Sequence, residues 1–381
     1  MPERLFAADG EYLRDPASVI GFFAEQDSLG ERLSQRATRG WWEVVASLGL
    51  TLLVTREYEH LLLAIACGGG TPTITFIRLP HPSGMAVDEP RGEVHVALTR
   101  NPNQIVSFTP AEFVVGDEKR RLLWPKRVEF FPGSNYFHDL AMVGGDLYAT
   151  AVGHNAAVRV ARDGGLMTAW WPRCIEEGGT PDHSRNRIQL NSIAAGESMA
   201  HSYFTASTAH PSRYDPGHLK FDPDGRGVLF DGSTRDVRIG GLTRPHSARL
   251  RSGDVWLANS GYGELVRVSK AGEMDVVIRL PGWTRGLCIV GNVAIVGTSR
   301  VLPRFQHYAP GVHDAVCGVH AVDLLSGALL GSLTWAAGNQ IFAVEALPHS
   351  MAAGFPYNAR AKAESARRVA SDAFYRGPIE K

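Results

Sequence analysis

Two histidines, an asparagine and an arginine hold equivalent places in a short phrase that recurs along this chain. His138-Asp139-Leu140-Ala141, Asn191-Ser192-Ile193-Ala194, His246-Ser247-Ala248-Arg249 and Arg285-Gly286-Leu287-Cys288 are four copies, with Ser83-Gly84-Met85-Ala86 before them and Phe342-Ala343-Val344-Glu345 after. If the copies converge on one axis, two imidazoles and an amide meet at one mouth. His138, Asn191 and His246 would then hold a divalent metal ion, because imidazole suits first-row metals and an amide oxygen adds a harder ligand. The open coordination positions would take water, as a catalytic metal requires. The planar fork of Arg285 would orient an anionic group of a small-molecule substrate, with Thr284, Ser247 and Gln340 beside it as further substrate contacts. Without a metal, His138 or His246 would serve as general acid or base, since imidazole titrates near neutrality. Asp139 has two readings. It is a catalytic carboxylate, or, because it follows His138 directly and points the other way on a regular strand, a ligand for backbone amides between repeats.

The elements that would position these groups are short strands. The third residues of the six phrases are 85, 140, 193, 248, 287 and 344, giving steps of 55, 53, 55, 39 and 57. Each phrase opens an apolar-alternating run, and most then meet a Gly/Asp turn and another run. Repeats of this length filled with strands predict an all-β fold, the β-propeller. Residues 139–170 and 246–279 are the clearest units, with hairpin turns at Gly144-Gly145 and Ser252-Gly253. Trp41–Val45 reads as the first strand of an N-terminal sheet. The last phrase, 340–347, has no strands after it, so the simplest closure places it in that sheet and removes open edges. The count is six blades, or seven if 340–347 starts a separate blade. The expected organisation is a helical N-terminal extension (1–40, helix over 14–38), a propeller (41–349) and a helical or disordered tail (350–381). Loops 207–226 and 300–316 interrupt the rhythm, and long loops in compact domains often carry function.

Composition narrows the function classes. Lys+Arg and Asp+Glu both number 39, so the formal net charge is zero. No basic footprint points to nucleic acid or a membrane surface. The N-terminus lacks an apolar signal core and no run approaches a membrane span, which gives a cytoplasmic expectation. The four cysteines are scattered and suggest core residues rather than a disulfide framework. The paired tryptophans at 41–42 and 170–171 suit packing between blades.

The phrases F-H-D-L-A (137–141), Q-L-N-S-I-A (189–194), R-P-H-S-A-R (244–249), L-P-G-W-T-R-G-L (280–287) and C-G-V-H-A-V-D-L (317–324) together resemble a bacterial family of conserved proteins of unknown function. That resemblance implies a propeller and no particular reaction. More distantly the chain is similar to six-bladed, cation-dependent propellers of the gluconolactonase and senescence-marker type, which hold a metal through acidic and Asn side chains. Only Asn191 matches that pattern, so the likeness does not extend to calcium or to lactone hydrolysis. Streptogramin-lyase-like propellers, with a catalytic His near a metal, are an equally distant likeness. Two functions follow as expectations. The first is an enzyme of hydrolase, lyase or isomerase type acting on a small molecule at the channel mouth. The second is a non-catalytic propeller that binds a protein, peptide or small ligand, with loops 207–226 and 300–316 making the contacts.

Overall fold

A computed structural model describes residues 32–356, apart from Arg39, Asn101, Gly116, Asp117 and Asp163. Six antiparallel sheets of four or five strands are arranged as the blades of a propeller. Blade 1 contains Leu50–Arg56, Leu61–Gly68 and Thr71–Arg78, and its innermost strand is Ile341–Pro348 from the far end of the chain. The closure expected from the unpaired last phrase is therefore present. The innermost strands of blades 2 to 6 are Pro82–Asp88, Phe137–Val143, Leu190–Ala194, Pro245–Arg251 and Trp283–Val290. Each packs against the next, and Trp283–Val290 packs against Ile341–Pro348, so the inner strands form a closed ring.

Alternating side chains explain why the blades stack. Six apolar clusters fill the six spaces between neighbouring blades. One joins Ala97 and Ile105 of blade 2 to Leu140 and Ala149 of blade 3, and another joins Leu257 and Val266 of blade 5 to Leu229 of blade 4. Each blade thus buries both faces while its outermost strand stays half wet, as in Met274–Arg279. The paired tryptophans serve these seams: Trp170 of blade 3 stacks on Phe204 of blade 4 at 3.7 Å.

Three local readings are corrected. Trp41–Leu48 is a helix (α1), not a strand. Its buried residues, Trp41 and Val45, are four apart, the helical spacing, and they pack into the seam between blades 6 and 1. Gln35–Ala37 lies within the expected N-terminal helix but is extended, pairing with Leu333–Trp335 as a fifth strand of blade 6. Only Arg32 and Leu33 of that expected helix are helical among the described residues, and residues 14–31 lie outside them, as does the tail after 356. The sequence offers only the short apolar runs 104–108 and 127–130 for the third and fourth strands of blade 2, but these strands, Asn103–Val115 and Glu118–Phe131, are far longer. The extra length makes an arm whose Phe113 and Leu122 form a small cluster of their own.

Loops 207–226 and 300–316 occupy equivalent positions, between the second and third strands of blades 4 and 6. They meet where the Tyr308 hydroxyl donates to the Gly217 carbonyl at 3.1 Å.

Candidate functional site

All six innermost strands carry an irregularity at or beside the phrase, where pairing with the second strand slips. A bulge of this kind re-aims a side chain and tightens the local bend. Its consequence is a division of labour between adjacent residues. The first residue of the phrase is aimed at the channel mouth in three copies, His138, His246 and Arg285, which line one cleft of about 360 Å³. The second residue latches onto the next blade. Asp139 Oδ2 accepts the Ile193 N–H (3.1 Å), Ser192 Oγ accepts the Ala248 N–H (2.9 Å), and Ser247 Oγ accepts the Gly286 N–H (2.9 Å). Where the second residue is Gly84 or Gly286, the neighbouring backbone comes so close that a Cβ would collide with it.

Asp139 is therefore the blade-junction ligand of its second reading, and it does not line the cleft. Its charge is met by Arg249 (3.6 Å), which also pairs with Glu345 (2.5 Å). Burial raises the Asp139 carboxyl above its usual range, although Arg249 and the amide of Ile193 pull the other way. Ser247 and Thr284 also stand outside the cleft lining. Ser247 is a latch, and Thr284 donates to the Glu264 carbonyl at 3.2 Å.

His138, His246, Arg285 and Gln340 do come together. His138 Nδ1–H donates to the Asn191 carbonyl (2.9 Å), which fixes the tautomer, and its Nε2 accepts from Arg285 Nη2 (2.6 Å). Arg285 Nη1 donates to the Gln340 amide oxygen (2.7 Å), and the Gln340 amide nitrogen donates to Glu57 (2.9 Å). The guanidinium lies over the Phe342 ring at 3.2 Å. Burial pushes Arg285 down to about 10, so it stays a cation at neutral pH.

His246 is held differently. Its Nδ1 lies 2.8 Å from the Arg244 carbonyl, which requires a proton there, and 2.8 Å from Ser260 Oγ, whose own proton goes to the Thr284 carbonyl (2.5 Å). The lone pair is thereby assigned to Nε2. The two imidazole rings stack at 5.4 Å. Burial first, and then Arg285, hold both histidines well below 6.5, so both are neutral at physiological pH.

These contacts test the expected metal site. Both nitrogens of His138 are engaged, one of them by a permanent cation. Asn191 turns its amide nitrogen to the Pro245 carbonyl (2.9 Å) and does not line the cleft. Among the described residues no group of three or more His, Cys, Asp or Glu could hold a metal ion. The donor set does not fit a dication.

Of a second ring at the mouth, the sequence reading picks out Gln340 but not the pattern it belongs to. Two residues before each phrase stand His81, Tyr136, Gln189, Arg244, Trp283 and Gln340. All but His81 line the cleft. The signal was present, because positions two apart on a strand share a face. Four of them, His81, Tyr136, Gln189 and Arg244, have φ between 48° and 52°, a left-handed conformation unusual for residues with side chains. Arg244 is tied to Gln189 and to the Pro216 carbonyl, and its guanidinium lies 3.8 Å from the Tyr308 ring centre, which fastens both long loops to the mouth. Those loops supply Gly217 and Leu219, and Val301, Leu302, Phe305 and Tyr308, to the cleft wall.

The fold has wide company. A chain of a nidogen–laminin complex is similar at a TM-score of 0.52 and 11% identity, over 78% of this chain and 99% of that one. A protein of unknown function from Bacteroides caccae matches at 0.50 and 12%, over 78% and 98%. A gluconolactonase from Xanthomonas campestris follows at 0.46 and 13%, over 68% and 77%. At such identities the likeness concerns the fold alone. No curated protein matches the sequence. Residues 39–355 match the model of a family described as a domain of unknown function, DUF4915, and the chain belongs to that family.

Proposed function

We propose that the protein is an enzyme acting on a small molecule at this mouth, without a metal, with His246 as general base. One observation carries the reading: a buried imidazole has its Nδ1 proton held by the Arg244 carbonyl, leaving its Nε2 lone pair beside a cationic Arg285 in a cleft of ligand size. Proton abstraction from carbon fits best. Nε2 takes a proton from a carbon next to a carbonyl, the electron pair moves onto the carbonyl oxygen, and Arg285 faces the developing charge. Return of the proton to another carbon gives isomerisation, and departure of a leaving group gives elimination. His138 and Gln340 hold the guanidinium in place, and Ser260 holds the base. An anionic substrate also offsets the field of Arg285, which is part of what depresses His246, so the base strengthens once substrate is bound.

Deuterium exchange into pyruvate, 2-oxobutanoate and phenylpyruvate, followed by proton NMR in heavy water, tests this. Wild type should exceed the buffer rate for at least one acid by about tenfold or more, and His246→Asn should return to the buffer rate. Wild type at the buffer rate throughout, or His246→Asn unchanged, would overturn it.

The alternative of binding without chemistry draws on one feature: the two long loops are joined to each other by the Tyr308–Gly217 hydrogen bond and fastened to the mouth through Arg244. In that case ligands bind and no exchange occurs.

A further inference from the structure

Among the described residues Arg285 has no carboxylate within ion-pair distance, although Glu57 and Asp139 act on it through space. The residue is 6% exposed, yet its partners are neutral: an imidazole nitrogen, an amide oxygen and the face of Phe342. Among the described residues no carboxylate forms an ion pair with it. Glu57 is linked to it through the Gln340 amide and is itself paired with Arg100 at 3.2 Å. A buried charge left in this way is costly unless an anion completes it. Each terminal nitrogen of Arg285 spends one N–H on Gln340 or His138. Each terminal nitrogen carries a second N–H, so the group has donors left to offer a carboxylate.

The cleft is also asymmetric in polarity. The inner strands contribute His138, His246 and Arg285. The long loops contribute Arg300 at one end but otherwise mainly apolar groups, Leu219, Val301 and Leu302, and Leu219 is 76% exposed. A large apolar side chain left so open at the edge of a polar cleft fits a ligand that covers it.

We infer that the ligand is a small organic carboxylate whose charge pairs with Arg285 and whose apolar body lies against Leu219, Val301 and Leu302. This rests on the reading of the mouth as the working site and names the class of molecule that enters it. Arg244 and Arg300 also line the cleft and Glu57 offsets part of their charge, so an anion is favoured there, and the apolar wall disfavours a bare inorganic anion or a sugar.

Calorimetric titration of the full-length chain with 3-phenylpropionate, 3-phenylpropanamide and inorganic phosphate tests the assignment. The acid should bind at least about tenfold more tightly than the amide or phosphate. Arg285→Met should abolish the preference of acid over amide, and Leu219→Ser should weaken both several-fold. Arg285→Lys keeps the charge without the fork and should show a reduced preference, which serves if the methionine variant does not fold. No binding of the acid, an amide that binds equally well, tighter binding of phosphate, or a methionine variant that still prefers the acid would each overturn it. The outcome is separable from the base assignment. Acid-selective binding with no deuterium exchange removes the His246 chemistry and keeps the ligand class. Exchange without acid selectivity does the reverse.

Discussion

His138 and Asp139 are neighbours in sequence and belong to different parts of the molecule. The first faces the cleft and the second fastens blade 3 to blade 4. The same split holds for His246 and Ser247, and for Arg285 and Gly286. The mouth row varies more in type, and three of its members, His138, His246 and Arg285, face the cleft. The latch row is limited to small or hydrogen-bonding residues because another blade's backbone lies against it. Changes in the latch row should therefore register in stability, and changes in the mouth row in ligand handling.

The largest effect is expected at Gly84. A Cβ there overlaps the Asp139 Cα, so Gly84→Ala must push blades 2 and 3 apart, at a cost of about 4 kcal/mol or more. Chemical denaturation measures it, and a near-native midpoint would dissolve the contrast between the rows. Acid comes next. His320 lies inside blade 6 between Thr298 and Ser332, and burial lowers it to about 4. In the unfolded chain it takes up a proton near 6.5, so the stability it supplies is intact above that value and is lost as pH falls from 6.5 to about 4, some 3 kcal/mol in all (about 1.4 per unit). His138 and His246 act in the same sense. Burial raises the carboxyls of Asp139 and Glu345, which opposes the loss toward the acid end. Melting temperature against pH should fall below 6.5, and His320→Gln should make that slope shallower.

Asp139→Ala removes the acceptor of the Ile193 amide and one partner of Arg249, while Glu345 still pairs with that arginine. A loss of about 2 kcal/mol is expected, with the binding preference at the cleft unchanged. The smallest stability effect belongs to the mouth. Arg285→Met gives up two hydrogen bonds and also a buried charge with no ion-pair partner among the described residues, so its unfolding free energy should change by no more than about 1 kcal/mol. Severe destabilisation there, with a mild effect at Asp139, would invert the comparison.

Much of the fold was legible in the sequence because the repeat repeats a physical need. Every blade must bury both faces, so the apolar alternation returns in each unit, and six units with an unpaired last strand leave one simple closure. Trp41–Val45 misled because a short apolar run satisfies either period, and only the distance between its buried residues, Trp41 and Val45, separates helix from strand. The arm of blade 2 was obscured because its strands run beyond the blade, where no neighbouring sheet demands alternation. Register placed His138, His246, Arg285 and Gln340 at one mouth.

The sequence alone determined that strand repeats build a propeller and which residue of each phrase comes first, while the choice between six and seven blades was settled by the pairing of Ile341–Pro348 with Leu50–Arg56. The sequence could not decide what each polar side chain would meet. Arg285 crosses the mouth to reach His138, 147 positions away, and takes up its Nε2. Loops far apart in the chain meet through Tyr308 and Gly217 and carry apolar side chains to a polar cleft. Each of these depends on distances between blades that are not neighbours in sequence, and such distances are fixed only when the ring closes.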